Sequence, residues 1–107
     1  MVIKRENTKA VEAGKGVVRR VLNRGGKLMI VEFTFEKGAV GDIHSHPHEQ
    51  IGYVASGSGI FTIDGKDTEV EKGDSMYIPP NVPHGFRSFE EGTVLVDTFT
   101  PQREDFL

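Results

Sequence analysis

The sequence predicts an all-β protein built as a barrel or a double-sheet sandwich. Short runs rich in β-branched and aromatic residues recur along the chain, and turn sequences containing glycine separate them at regular intervals. No stretch shows a sustained helical period. The 13 glycines suit a chain with many tight turns. The length of 107 residues predicts a single domain over residues 1–107.

The predicted strands follow one another with short connections. They lie at residues 17–23, 28–35, 49–55, 59–64, 68–71, 75–78, 84–89 and 93–99. Alternation in the second strand places the odd-numbered residues from 29 to 35 on one face. Asp64 and Gly65 predict a two-residue hairpin turn, because both central positions of a type I′ turn need a positive φ. Residues 8–14 remain open between a short helical turn and a loop.

Composition narrows the possible partners and the location. The net charge of −3 gives no electrostatic reason to expect nucleic acid or an anionic membrane as a partner. The chain has no cysteine, which excludes thiolate chemistry and a disulfide framework. No apolar run approaches the ~20 residues of a membrane span, and the first residues lack the apolar region of a signal peptide. We therefore expect a cytoplasmic protein.

Three histidines are the main candidates for chemistry. His44 and His46 are two residues apart, so in a strand their side chains point to the same face. His84 follows a second turn-rich segment at residues 73–81. Together with the amide oxygen of Gln50, three imidazoles can close around a divalent cation such as zinc, nickel, iron or manganese. The alternative is that these histidines are surface residues or hydrogen-bonded core residues.

Two neighbouring residues refine the metal hypothesis. Gln50 is neutral, so a cation held by it and by imidazoles keeps its full positive charge, which suits an anionic substrate. The alternative is that Gln50 is a tolerated ligand without mechanistic meaning. His48 shares its residue parity with the other two histidines, but we predict that it is not a ligand because Pro47 bends the chain there.

Two glycine-bounded segments resemble the motifs of the cupin superfamily. Gly38, His44, His46 and Gly57 match the spacing of the first motif, with Gln50 at the expected glutamate; Gly73, Pro79 and His84 match the second, with Asn81 and Ser88 replacing a glycine and an asparagine. Asn tolerates the left-handed backbone of a turn glycine, so Asn81 is a mild departure. The resemblance implies a small jelly-roll barrel that often forms a dimer.

Residues 44–54 and 96–107 further resemble the KdgF-type cupins of pectin and alginate breakdown. This resemblance implies a metal site formed by His44, His46, Gln50 and His84, as in that family. It also implies conversion of 4,5-unsaturated monouronates into linear keto-uronates. The tail pattern Asp-x-Phe-x-x-x-Arg of that family corresponds here to three residues linked to activity, namely Asp97, Phe99 and Arg103.

Each of these three residues also has a simpler explanation. Asp97 lies in a strand that is largely apolar on both faces, and a buried carboxylate needs a partner or takes up a proton. Asp97 is a candidate general acid or base. Its simpler explanation is that it hydrogen-bonds a ligand histidine or caps a backbone turn. Arg103 matches a carboxylate with two parallel hydrogen bonds, or is a solvated tail residue. Phe99 stacks on a sugar ring, or belongs to the core. Further anion contacts could come from Arg19, Arg20, Arg24 and Arg87, among which the sequence does not select.

The leading hypothesis is a homodimeric, metal-dependent enzyme that acts on a small anionic sugar acid. One divalent metal (nickel, manganese, iron or zinc) would be its cofactor. Three alternatives belong to other classes: a non-catalytic sensor or sugar-binding module, a small dioxygenase, and a structural cupin whose metal only stabilises the fold.

Overall fold

The computed structural model describes residues 1–107 and consists of ten short strands with two single-turn 3₁₀ helices near the termini. The strands are β1 (Val11–Glu12), β2 (Val17–Gly25), β3 (Leu28–Phe35), β4 (Val40–His44), β5 (Glu49–Ser56), β6 (Ser58–Ile63), β7 (Lys66–Glu71), β8 (Ser75–Ile78), β9 (His84–Ser88) and β10 (Thr93–Thr100), and the 3₁₀ turns are Arg5–Asn7 and Glu104–Phe106. No helix is long and apolar enough to cross a membrane.

The strands form two antiparallel sheets that pack face to face. One sheet has six strands in the order β1-β2-β3-β10-β5-β8, and the other has four in the order β4-β9-β6-β7. Buried side chains from both sheets meet in one apolar cluster, which is how a sheet with one hydrophobic face covers it. The prediction of an all-β, double-sheet protein is therefore confirmed.

All eight predicted strands are present, with ends that agree within two residues. The sequence reading missed two strands, β1 and β4. Residues 8–14 contain β1, so they are neither a helical turn nor a plain loop, and the 3₁₀ turn lies before them at Arg5–Asn7. The Asp64-Gly65 turn is confirmed, with φ of 50° and 78°. Asn81 adopts a φ of 65°, the left-handed conformation expected of a residue that replaces a turn glycine.

The expectation that His44 and His46 share one strand is wrong. Strand β4 ends at His44, which pairs with His84 of β9, and His46 lies in the connection that follows. The physical reason is topological: β4 belongs to the four-stranded sheet and β5 to the six-stranded sheet. The chain must leave one sheet to reach the other, so no ladder can continue across this segment.

The interior of the sandwich changes character along its length. At one end, which we call the apolar end, buried side chains from both sheets pack together: Val17, Phe35, Val54, Phe61, Met76, Ile78, Phe86 and Leu95. At the other, which we call the polar end, the buried or inward-facing groups are His44, His46, Gln50, His84, Asp97 and Arg103. Because inward positions recur every second residue, single strands such as β10 supply Leu95 to one end and Asp97 to the other.

Candidate metal centre

Three histidines meet at the polar end. His44 and His84 are direct cross-strand partners at the ends of β4 and β9, and their ring centroids lie 4.5 Å apart. The ring of His46 approaches that of His84 to 4.9 Å and that of His44 to 5.6 Å. One nitrogen atom from each ring lies within 4.8 Å of the others. This grouping could hold a metal ion.

Backbone contacts fix the tautomers of two of these rings. His44 Nδ1 lies 2.8 Å from the carbonyl oxygen of Asp42, and His84 Nδ1 lies 2.9 Å from that of Val82. A carbonyl oxygen only accepts hydrogen bonds, so each Nδ1 carries the proton and each Nε2 presents a lone pair. Histidines that bind metals characteristically have their second nitrogen held in this way.

Gln50 completes a possible donor set. Its side chain is 3% exposed on β5, and its Oε1 lies 3.0 Å from Nε2 of His46. Nδ1 of His46 is buried and has no hydrogen-bond partner. Three imidazole nitrogens and one amide oxygen suit a divalent transition metal, so the residues present fit such an ion.

Burial favours the neutral form of two of these imidazoles, His46 and His84. Desolvation, and to a lesser extent the nearby Arg103 guanidinium, lower the pKa of His46 to about 4. Desolvation also lowers the pKa of His84, although its contact with the Val82 carbonyl opposes the change. Metal binding requires unprotonated nitrogens, so at neutral pH these two rings are already in the form that binds a cation.

Asp97 is the acidic group of the polar end. It is 5% exposed, and its Oδ1 is buried without a partner. Desolvation raises the pKa of Asp97 to about 7, while the Gln50 amide and the Arg103 charge oppose the rise. Opposite it on β5 is Gly52, where a Cβ atom would lie 2.7 Å from Oδ1. The glycine leaves space for a carboxyl group that can both accept and release a proton near neutral pH.

Arg103 reaches the polar end from the C-terminal tail. It is 8% exposed, and its Nε and Nη2 donate to the two carboxylate oxygens of Asp105 at 3.0 and 2.8 Å. Its guanidinium carbon lies 4.2 Å from the ring centroid of Phe106 and 5.2 Å from that of Phe99. The tail therefore folds onto the barrel and brings a positive charge into its interior.

A cavity of about 310 Å³ joins most of these groups. Among its lining residues are His44, Gln50, His84, Asp97, Phe99 and Arg103. His46 is not part of the lining and lies beside it against the ring of Phe99, at 5.7 Å. Phe99 is only 2% exposed and belongs to a small apolar cluster with Met29 and Val31. His48 lies outside the three-histidine group, with its ring 5.3 Å from that of His46.

The sequence did not single out two further residues of the cavity wall. Arg19 of β2 and Phe106 of the tail both line the cavity, and the guanidinium carbon of Arg19 lies 4.2 Å from the Phe106 ring centroid. Strand alternation offered one usable signal, because Arg19 shares its parity with the buried Val17. Nothing comparable could reveal Phe106, since its position depends on how the tail packs.

The two-sheet fold and the histidine group together define the class of this protein. The profile of the cupin domain family matches residues 31–99. The chain belongs to the cupin family, as its two glycine-bounded motifs indicated.

The chain is similar over nearly its whole length to two proteins named KdgF and to another small cupin. The chain is 44% identical over 97 residues to pectin degradation protein KdgF of Dickeya dadantii, covering 90% of this chain and 88% of that protein. The solved structure of KdgF from a Halomonas species is 30% identical, with a TM-score of 0.94 over 100% of this chain and 98% of that one. An RmlC-like cupin from Shewanella frigidimarina is 39% identical, with a TM-score of 0.92 over 99% and 95% of the two chains.

Proposed function

We propose that this protein catalyses the metal-dependent opening of 4,5-unsaturated monouronates to linear keto-uronates, as a step in pectin or alginate breakdown. The observation that carries the proposal is one shared cavity. It combines imidazoles grouped for a metal, a buried carboxyl group with a pKa of about 7 and a guanidinium. The 44% identity to a protein named for pectin degradation supports the substrate class.

The cofactor in this proposal is one divalent transition metal. His44, His46, Gln50 and His84 would hold it, because their donor atoms converge and two of the rings already present Nε2 lone pairs. When bound, the metal supplies Lewis-acid polarisation of substrate oxygen atoms. All four ligands are neutral, so they do not cancel the charge that attracts an anionic sugar.

The reaction itself is an isomerisation. The bond between the anomeric carbon C1 and the ring oxygen breaks while the anomeric hydroxyl loses its proton, which gives an aldehyde at C1 and an enolate at C5. Protonation at C4 then converts the enolate to a ketone. One proton leaves oxygen and one arrives at carbon, so a single carboxyl group can take the first and deliver the second. Asp97 has this role, because burial lets it exist in both forms near neutral pH.

Arg103 and Phe99 position the substrate. Asp105 occupies two of the five N–H donors of Arg103, so three remain for a substrate oxygen or carboxylate. The positive charge also stabilises the negative charge that develops on the enolate oxygen. Phe99 forms an apolar wall beside His46, against which a sugar ring can stack.

The test is the ultraviolet absorbance of an unsaturated monouronate, since its conjugated double bond absorbs and the keto product does not. We expect faster decay with metal-loaded protein than with chelator-stripped protein or buffer, and recovery when metal is restored. Decay at the spontaneous rate with metal demonstrably bound would reject the proposal. In that case, tight sugar binding would indicate a sensor, and oxygen consumption would indicate a dioxygenase. If removing the metal only lowers the melting temperature, the metal is structural.

We also propose that the protein acts as a homodimer. The outer face of the six-stranded sheet exposes about half of the surface of Ile51, Tyr53 and Tyr77, and Ile51 and Tyr77 are cross-strand partners. Clustered exposed apolar groups of this kind mark interaction surfaces. Sedimentation analysis should give twice the chain mass, and Tyr53→Glu should shift it toward the monomer. A monomeric wild-type protein would contradict this.

A further inference from the structure

Arg19 occupies a special position at the cavity. It lies on β2 with a half-buried side chain and lines the same cavity as the histidine group. Its guanidinium stacks on Phe106, at 4.2 Å from the ring centroid. Stacking on an aromatic face fixes the plane of a guanidinium while its N–H groups at the edge remain free.

The charge of Arg19 has no partner in the structure. Of the two ion pairs, one joins Arg5 to Glu32 and the other Arg103 to Asp105, and Arg19 is in neither. A half-buried arginine normally satisfies its donors with a carboxylate or with carbonyl oxygens. All five N–H donors of Arg19 are therefore available to a molecule that enters the cavity.

The other arginines are not equivalent to Arg19. Arg20 donates to the Thr8 carbonyl oxygen, Arg24 donates to the Gln102 side-chain oxygen, and Arg87 is exposed and stacks on Phe89. Arg103 also lines the cavity, but its Nε and Nη2 already donate hydrogen bonds to the Asp105 carboxylate. Asp42 lines the cavity as well and does not pair with Arg19. Arg19 is thus the one cavity arginine whose donors are all uncommitted.

We propose that Arg19 is the specificity-determining residue that binds the carboxylate of the sugar acid, with Phe106 holding its guanidinium at the cavity wall. A guanidinium edge matches a carboxylate with two parallel, charge-assisted hydrogen bonds. This inference rests on the proposed function for its substrate class. Arg103, oriented by Asp105, then faces the reacting atoms, and the two arginines divide substrate recognition from catalysis.

Equilibrium binding to metal-loaded protein tests this without any turnover. The probes are galacturonate and galactose, which differ in one carboxylate. We expect wild-type protein to prefer the acid, and Arg19→Gln to weaken binding of the acid about ten- to a hundredfold while changing that of galactose less than about twofold. The affinity of Arg19→Lys for galacturonate should lie between those of the wild type and Arg19→Gln. The matched control, Arg87→Gln, removes an exposed arginine that also stacks on phenylalanine and should change neither affinity.

The outcomes separate charge recognition from a structural role. If Arg19 only packs against Phe106, Arg19→Gln will weaken the binding of galacturonate and of galactose equally, and this result overturns the proposal. Equal wild-type affinity for the two sugars also overturns it.

Steady-state kinetics of Arg19→Gln provide a second, independent measurement. With an unsaturated monouronate, Arg19→Gln should raise KM about ten- to a hundredfold and leave kcat within about threefold. An unchanged KM would contradict the role of Arg19. If wild-type protein turns over no such substrate, the proposed function fails, and the galacturonate comparison still decides whether Arg19 recognises a carboxylate.

Discussion

The apolar end and the polar end of the sandwich are built from the same strands and have opposite properties. Strand β9 contributes Phe86 to the first and His84 to the second, and β10 contributes Leu95 and Asp97. At the apolar end aromatic rings pack edge to face, with the Phe35 and Phe86 centroids 5.0 Å apart. At the polar end buried atoms of His46 and Asp97 have no partner.

This difference shows where stability and reactivity reside. Burying apolar surface stabilises the fold, whereas burying unpartnered imidazole and carboxyl groups costs free energy and shifts their pKa values. Groups with shifted pKa values inside a cavity are typical of functional sites. The apolar end thus stabilises the fold, and the polar end contains the candidate groups for binding a ligand.

The largest expected effect comes from replacing the acid of the polar end. Asp97→Asn should lower kcat about 10²- to 10⁴-fold, because an amide cannot exchange the proton that the isomerisation requires. Metal content and the fold should be retained, since the two side chains have the same shape. Steady-state kinetics with metal analysis of the same sample check this, and a fully active variant would remove Asp97 from the mechanism.

The matching change at the apolar end should affect stability instead. Phe86→Ala should cost about 3–5 kcal/mol in the free energy of unfolding, because it leaves a cavity in a tightly packed cluster. Packing there is so close that a Cβ atom on Gly59 would lie 2.4 Å from the Phe86 ring. Urea denaturation measures the loss, with the half-buried Phe89→Ala as control. Equal losses in the two variants would contradict the assignment of the core to the apolar end.

The cost of burying Asp97 should itself depend on pH. In metal-free protein the native state binds this proton more tightly than the unfolded state, because the pKa is raised from 3.8 to about 7. The free energy of unfolding of the wild type therefore falls as pH rises from 3.8 to about 7, and Asp97→Asn should not share that loss. The variant should gain about 2–3 kcal/mol over wild type between pH 5 and pH 8. Denaturation of chelator-treated samples tests this. His46, with its lowered pKa, contributes equally to both proteins.

A stability difference between Asp97→Asn and wild type that is the same at pH 5 and pH 8 would show that the carboxyl group is not desolvated in solution.

The smallest effect is expected at His48, next to the candidate ligands. His46→Ala should remove a ligand and reduce the bound metal, whereas His48→Ala should keep the full metal content, because His48 lies outside the three-histidine group. Elemental analysis of the purified proteins gives the metal-to-protein ratio. Loss of metal in His48→Ala would show that the metal site extends beyond the three-histidine group and Gln50.

The sequence was informative wherever a short-range rule governs the structure. Alternation along a strand places Gln50 on the same face as Val54 and Asp97 on the same face as Leu95, and all four are buried. Motif spacing brought together His44, His46 and His84, although the assumed common strand was wrong, because the chain changes sheets at that point.

Long-range packing was beyond such rules. Four arginines remained equivalent in the sequence, and Arg19 stands out only because it lines a cavity and stacks there on Phe106 of the C-terminal tail. The pairing of Arg103 with Asp105 likewise depends on how the tail turns after β10. Side-chain contacts between distant segments follow from tertiary packing, and local propensity contains no information about them.

Proton delivery to C4 by the buried Asp97 carboxyl group can be tested by following the reaction in D₂O with proton NMR. With metal-loaded protein, we expect early product to carry one deuteron at C4 on a single face, because Asp97 is fixed at one side of the cavity. The Asp97→Asn variant should lose this selectivity together with the rate. Early product with the same mixture of faces as the protein-free reaction would contradict proton delivery by Asp97.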